Sequence, residues 1–330
     1  MRRLPALIIA FALLAAGCGG DDPGVLTVYS GRSEELVGPL FERFEETTGI
    51  DVEVRYADSP SLAATLREEG DNTPADVFWA QDPASLGAVA LAGLFEALPE
   101  DVLDRVPDRF SDGEGRWVGT SGRSRVLVFD PDRVDAADLP ERVEDLVGPE
   151  WEGRLAIAPT NGSFLAFVAA MILADGEEAT RAWLDGLAAN GAVGFSGNSA
   201  IVAAVNDGEV AAGLANHYYL LQLRAQVGET PARNHFLAGG PGALVMPAGA
   251  GLLAGSAHRE AALTFIEFLL SDEAQRFVAG ETFEYPLVAG IDPAPELPAL
   301  DDLRPPDLDL SRLAEVIDTA TDLVAEAGLL

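Results

Sequence analysis

The sequence predicts an α/β protein of two lobes with a cleft between them, and three observations carry that expectation. Short β-branched runs alternate with amphipathic helical stretches through the N-terminal third. At 330 residues the chain exceeds one ordinary domain. After Arg116 the alternation gives way to extended segments of the kind that cross between domains.

The elements follow in order. Residues 25–30 read as a strand, and 34–48 set Leu36, Leu40, Phe41 and Phe44 at helical spacing until Gly49 stops them. Residues 50–56 and 75–80 are further strands, with helices over 59–69 and 83–92. Residues 117–120 and 125–130 are expected as two separate strands. A strand over 155–159 leads into a helix over 162–173, and 177–189, 200–206 and 218–226 are helical. Residues 210–215 and 243–247 are strands, and the small-residue run 249–254 reads as a turn near the interlobe crossing. It fits a loose dinucleotide fingerprint but lacks the strand–helix unit and downstream acid. Helices over 258–270 and 311–327 follow, the last with Ser311 as N-cap. Ligands of open α/β sheets sit beyond the carboxyl ends of strands, which directs attention to the loops after Ser30, Ala80, Pro159 and Ala215.

The N-terminus sets the compartment. Arg2 and Arg3 precede an apolar run over 6–16 that is too short to span a membrane permanently. Leu14-Ala15-Ala16-Gly17-Cys18 resembles a bacterial lipobox, with Cys18 the residue to be lipidated and the following Gly-Gly-Asp-Asp a tether. Cys18 is the chain's single cysteine, so no internal disulfide is possible. Residues 1–24 are therefore expected to be signal and tether, with the membrane reached only through lipid. With 54 acidic and 21 basic residues the net charge is −33, a surface that repels nucleic acid and would concentrate cations, though conferring solubility alone is the preferred reading. Every basic residue is arginine, which excludes Walker-type phosphate binding, Schiff-base catalysis and pyridoxal phosphate attachment. There is no Gly-x-Ser-x-Gly elbow and no His-Glu-x-x-His, and no motif points to an enzyme.

The sharpest chemical feature is Asn216-His217-Tyr218-Tyr219, between a strand and a helix. Two of only five tyrosines are adjacent there. In a first helical turn both phenols can reach one ion, and a hard trivalent cation favours their ionised form. A second feature is Thr160-Asn161-Gly162-Ser163, where a strand turns into a helix. Exposed N–H groups and the helix dipole there suit a small anion, and a plain N-cap is the competing reading.

Several segments, from Val25 to about Tyr285, together resemble the ferric-binding proteins of bacterial iron ABC importers. They are Thr27-Val-Tyr-Ser-Gly-Arg32, Glu68-Glu-Gly-Asp-Asn-Thr-Pro-Ala-Asp-Val-Phe78, Ser121-Gly-Arg-Ser-Arg125, Pro159-Thr-Asn-Gly-Ser-Phe164, Gly197-Asn-Ser-Ala200 and Asn216-His-Tyr-Tyr219. The resemblance implies a type II periplasmic binding protein, each lobe a mixed sheet flanked by helices. It implies that Tyr218 and Tyr219 bind Fe³⁺ with carbonate or phosphate as synergistic anion. Arg125, Asn161, Gly162, Ser163, Asn198 and Asn216 would hold that anion. Family members carry histidine and glutamate where this chain has Ser33 and Gln81, with Asp82 a substitute ligand or a helix cap and Tyr29 a remote third phenol. An ABC permease and ATPase are the implied partners of a monomer. Lobe one is expected over 25–125 with about 248–300, lobe two over 126–247, and a C-terminal helix over 305–330 on lobe two or the hinge. The alternative is the same machine with another cargo, such as sulfate, phosphonate, a polyamine or a metal chelate.

Overall fold

The computed structural model describes residues 24–330, so Cys18 and the signal segment lie outside the described residues. Lobe one opens with β1 (Leu26–Ser30), α1 (Glu34–Thr48), β2 (Val52–Tyr56), α2 (Ser59–Glu69), β3 (Val77–Ala80), α3 (Pro83–Leu91) and the single turn α4 (Glu100–Leu103). Next come β4 (Val118–Phe129), β5 (Leu155–Ile157), α5 (Gly162–Asp175), α6 (Glu177–Ala189), β6 (Val193–Gly194), α7 (Asn198–Asn206), β7 (Ala212–Asn216) and α8 (Tyr218–Val227). The chain ends with β8 (Arg233–Phe236), β9 (Val245–Leu252), α9 (Arg259–Leu269), α10 (Asp272–Phe277) and α11 (Leu313–Glu326).

The strands run in the order β2-β1-β3-β9-β4-β7-β5-β6, with β8 also on β4. β1 is parallel to β2 and β3, as the right-handed strand–helix–strand units require. β9 is antiparallel to β3 and β4. The two predicted strands after Arg116 are one strand of twelve residues, every one of them buried. Its first half, through Ser124, pairs with β9, and its second half, from Arg125, pairs with β7. β4 therefore belongs to both lobes, and the change of partner at Ser124–Arg125 marks the hinge.

The turn expected over 249–254 is also a correction, because residues 249–252 are the end of β9. Glycine there answers to packing. A Cβ on Gly251 would meet the Phe95 ring at 2.5 Å, and one on Gly249 the Val118 carbonyl at 2.8 Å. Ser311 is not the N-cap of the last helix: Asp309 accepts its amide at 3.0 Å, and α11 begins at Leu313.

Each lobe has its own core. Phe41, Phe44 and Phe265 interlock in lobe one, with the Phe41 and Phe265 rings stacked 5.2 Å apart. In lobe two Trp183 sits against Phe164 and Phe167. Leu313, Leu323 and Val324 of α11 join that second core together with Ala84 of α3, so the last helix packs against both α3 and α5. Among the described residues, no helix is long and apolar enough to cross a membrane.

Candidate functional site

β7 ends at Asn216, and its neighbour β4 carries Arg125 directly opposite. His217 turns the chain into α8, whose first two residues are Tyr218 and Tyr219. The first turn brings the two rings to 4.3 Å, nearly parallel at 27°. Tyr218 is buried and Tyr219 half-buried. Both line an interlobe cavity of about 530 Å³, with Gln222 on the same helix and Arg32, Ser33 and Gln81 across from them. Among the described residues no three His, Cys, Asp or Glu side chains come together to hold a metal, and the two phenols share the cleft with the carboxylates of Glu35 and Glu281.

Three buried guanidiniums surround the pair. Arg32 forms an ion pair with Glu284 at 2.7 Å, both almost wholly enclosed. Ser121 donates to the same carboxylate at 3.0 Å, and Arg123 Nε lies 3.9 Å from its other oxygen. Burial pushes the Glu284 carboxyl up, but the Arg32 charge and hydrogen bond, with Arg123, outweigh it and hold the group below the usual range. Burial likewise drives the Tyr218 phenol well above its ordinary value, and the Tyr219 and Glu284 charges add to it, while Arg123 and Arg32 pull the other way. A neutral phenol is thus the resting form, and only a strongly charged guest would ionise it. Burial, then the neighbouring Arg123, brings Arg125 down to about 10.

The residues assigned to an anion do meet. Arg125 donates to Asn198 Oδ1 at 3.1 Å and to the Ser163 carbonyl at 2.5 Å. Asn198 Nδ2 reaches Asn161 Oδ1 and Ser163 Oγ at 3.3 Å each, and the Asn216 amide donates to Asn198 Oδ1 at 3.2 Å. Asn161 also caps α5, accepting the Ser163 amide at 3.1 Å, while Gly162 is exposed at the first position of that helix. Behind this ring a chamber of about 10 Å³ lies between Asp82, Arg123, Arg125, Ser163 and Asn216. Buried Arg123 Nη1, Arg125 Nε and Asn216 Nδ2 have no hydrogen-bond partner among the described residues.

Other expectations separate here. Ser33 and Gln81 line the cleft, but Asp82 is buried and spends both oxygens on Ser85, at 2.8 Å to its amide and 3.0 Å to its hydroxyl. It is the helix cap. Tyr29 is engaged elsewhere: its hydroxyl meets Glu69 and Arg55, each at 3.1 Å. Sequence reasoning gave Arg32, Arg123 and Glu284 no role. Two arginines spaced by two in one strand, Arg123 and Arg125, were the signal available for one of them.

Two lobes joined through shared strands, with a polar cleft between them, define a solute-binding protein. Residues 72–312 match the family described as bacterial extracellular solute-binding protein. The chain is 34% identical to the Fe(3+)-binding periplasmic protein of Serratia marcescens over 98% of its own length and 95% of that protein. It is 34% identical to the major ferric iron-binding protein of Neisseria meningitidis serogroup B, over 97% and 98% of the two chains. The structure of iron-bound HitA from Pseudomonas aeruginosa superposes with a TM-score of 0.87 at 36% identity, covering 92% of this chain and 99% of that one. The chain belongs to the bacterial extracellular solute-binding proteins.

Proposed function

We propose that this protein captures ferric iron outside the cytoplasm and delivers it to an ABC permease and ATPase, without catalysing a reaction. Tyr218 and Tyr219 supply two phenolates, and a small dianion, carbonate or phosphate, completes the shell from Arg125, Asn161, Gly162, Ser163, Asn198 and Asn216. The carrying observation is the pair of phenols 4.3 Å apart on one wall of the interlobe cleft. The ferric-binding relatives support the choice of cargo. Cys18 would carry the lipid that holds a monomer at the membrane. Residues 25–125 with about 248–300 form lobe one in this reading, and 126–247 form lobe two.

Charge bears on the cargo. Arg32, Arg123 and Arg125 cluster with Glu284 and Asp82 inside the protein, and Glu35 and Glu281 line the cleft itself. The group of buried guanidiniums suits a cargo that arrives with anionic oxygens. It also favours a second reading, an oxyanion or an anionic metal chelate. Titrating the metal-free protein with Fe³⁺ in carbonate or phosphate separates the two. Iron on phenolates gives a red to orange charge-transfer band, lost in the Tyr218→Phe, Tyr219→Phe double variant. Thermal stabilisation by sulfate or phosphonate, with no band from iron, would transfer the assignment to the second reading.

A further inference from the structure

We propose that His217 is a positioning residue: an interlobe pin that ties the tyrosine-bearing turn to the hinge and to lobe one without touching the cargo. The inference rests on the placement of cargo at Tyr218 and Tyr219.

His217 is fully buried immediately before Tyr218, and all four of its polar groups are engaged. Its amide donates to the Ser124 carbonyl at 3.0 Å. Nδ1 accepts the Ser124 amide at 3.1 Å, so the ring proton sits on Nε2, which donates to the Phe283 carbonyl at 2.9 Å. The His217 carbonyl accepts from Asn234 Nδ2 at 2.8 Å.

The partners explain the role. Ser124 is the last β4 residue paired with β9, and Arg125 the first paired with β7. The imidazole therefore grips the strand where it leaves one sheet for the other. Phe283 closes the turn after α10 and precedes Glu284, the partner of Arg32. Its φ of 59° is, among the described residues, the only left-handed backbone outside glycine. A bulky residue keeps that conformation only where its surroundings fix it, and the His217 bond fixes its carbonyl. One ring thus joins the crossover strand, the phenol pair and the lobe-one turn beneath Arg32.

Two simpler roles fit poorly. Both ring nitrogens already have partners, which closes His217 to the metal. As mere filler it would be a costly choice. The ring packs among Tyr218, Phe236 and Tyr285 at centroid distances of 5.8, 6.2 and 5.1 Å. An apolar side chain would fill such a place without having to satisfy two buried nitrogens. What the imidazole adds is a fixed register between the tyrosines and lobe one, so less ordering is left for the guest to impose.

Two variants divide the bonds. His217→Asn keeps an acceptor where Nδ1 stands and drops the bond to Phe283. His217→Gln keeps a donor where Nε2 stands and drops the bond to Ser124. Loaded with Fe³⁺ and carbonate, the Asn variant should release iron to excess citrate about fivefold to tenfold faster than wild type, the size of one net hydrogen bond, and the Gln variant within about twofold of it. The charge-transfer band should not move in either, because both phenols remain ligands. The pin is overturned if the Asn variant releases at the wild-type rate, or if both variants release equally fast. A wild-type chain that takes up no iron defeats the iron reading alone. The pin is then judged by hydrogen–deuterium exchange of the metal-free full chain. Faster exchange across residues 278–285 in the Asn variant but not the Gln variant sustains it, and equal exchange in the two overturns it.

Discussion

The two walls of the cleft are built on different principles. The lobe-two wall is internally bonded: the tyrosines stack in one helical turn, and Arg125, Asn198, Asn161 and Ser163 bond one another. The lobe-one wall offers the neutral side chains of Ser33 and Gln81 beside the cation of Arg32 and the carboxylates of Glu35 and Glu281. Its strongest interaction, Arg32 with Glu284, points back into its own lobe rather than across the gap. On the proposed reading, the difference teaches that the preformed ligand pair comes from one lobe, while the other supplies enclosure and mixed charge.

That contrast breaks or sharpens by experiment. The largest effect should come from the tyrosines. Either Tyr218→Phe or Tyr219→Phe should weaken ferric binding by about a hundredfold or more, since losing a group outside the coordination shell already costs ~10–100-fold. Ser33→Ala or Gln81→Ala should cost less than about tenfold by the same comparison. Competition titrations against a chelator measure both, and equal losses on the two walls would erase the asymmetry.

The next effect concerns folding. Glu284→Ala strands Arg32 without a partner in the interior, which typically costs about 3–5 kcal/mol in denaturant unfolding. A loss below about 1 kcal/mol, the range of exposed pairs, would show that water reaches the lobe-one pair.

The smallest effect concerns pH. Burial lowers the His217 pKa from 6.5 to about 4. Between those values the unfolded chain binds a proton that the folded chain refuses, so stability is full above pH 6.5 and falls as the pH drops towards 4. The loss from this one group is about 3 kcal/mol at most. Unfolding curves of the metal-free protein across that window, against His217→Asn, should differ in slope. Parallel slopes would mean that the ring is not held neutral in the fold.

Much of this architecture was legible in advance because it is local. The strand–helix alternation of residues 25–92 comes from side-chain periodicity, and adjacent tyrosines after a strand are a local fact too. Asn161, Gly162 and Ser163 were local too, at a strand-to-helix turn, while Arg125, Asn198 and Asn216 were named through resemblance. The cap on α3 was open to either reading until both oxygens of Asp82 were seen on Ser85. The strand expected over 243–247 caught only the start of β9; its second half escaped notice because Gly249 and Gly251 carry no β-branched pattern and answer to Leu86 and Phe95, far away in sequence.

By itself, then, the chain determined its α/β class, its acidic surface and the pairing of two phenols at a helix start, since each follows from composition or from neighbours within a few residues. Only the tertiary structure decided what surrounds those phenols. Arg32 meets a glutamate 252 positions away, and His217 meets the carbonyl of Phe283 across 66. Contacts of that span follow from how two sheets share β4, and no local pattern encodes them.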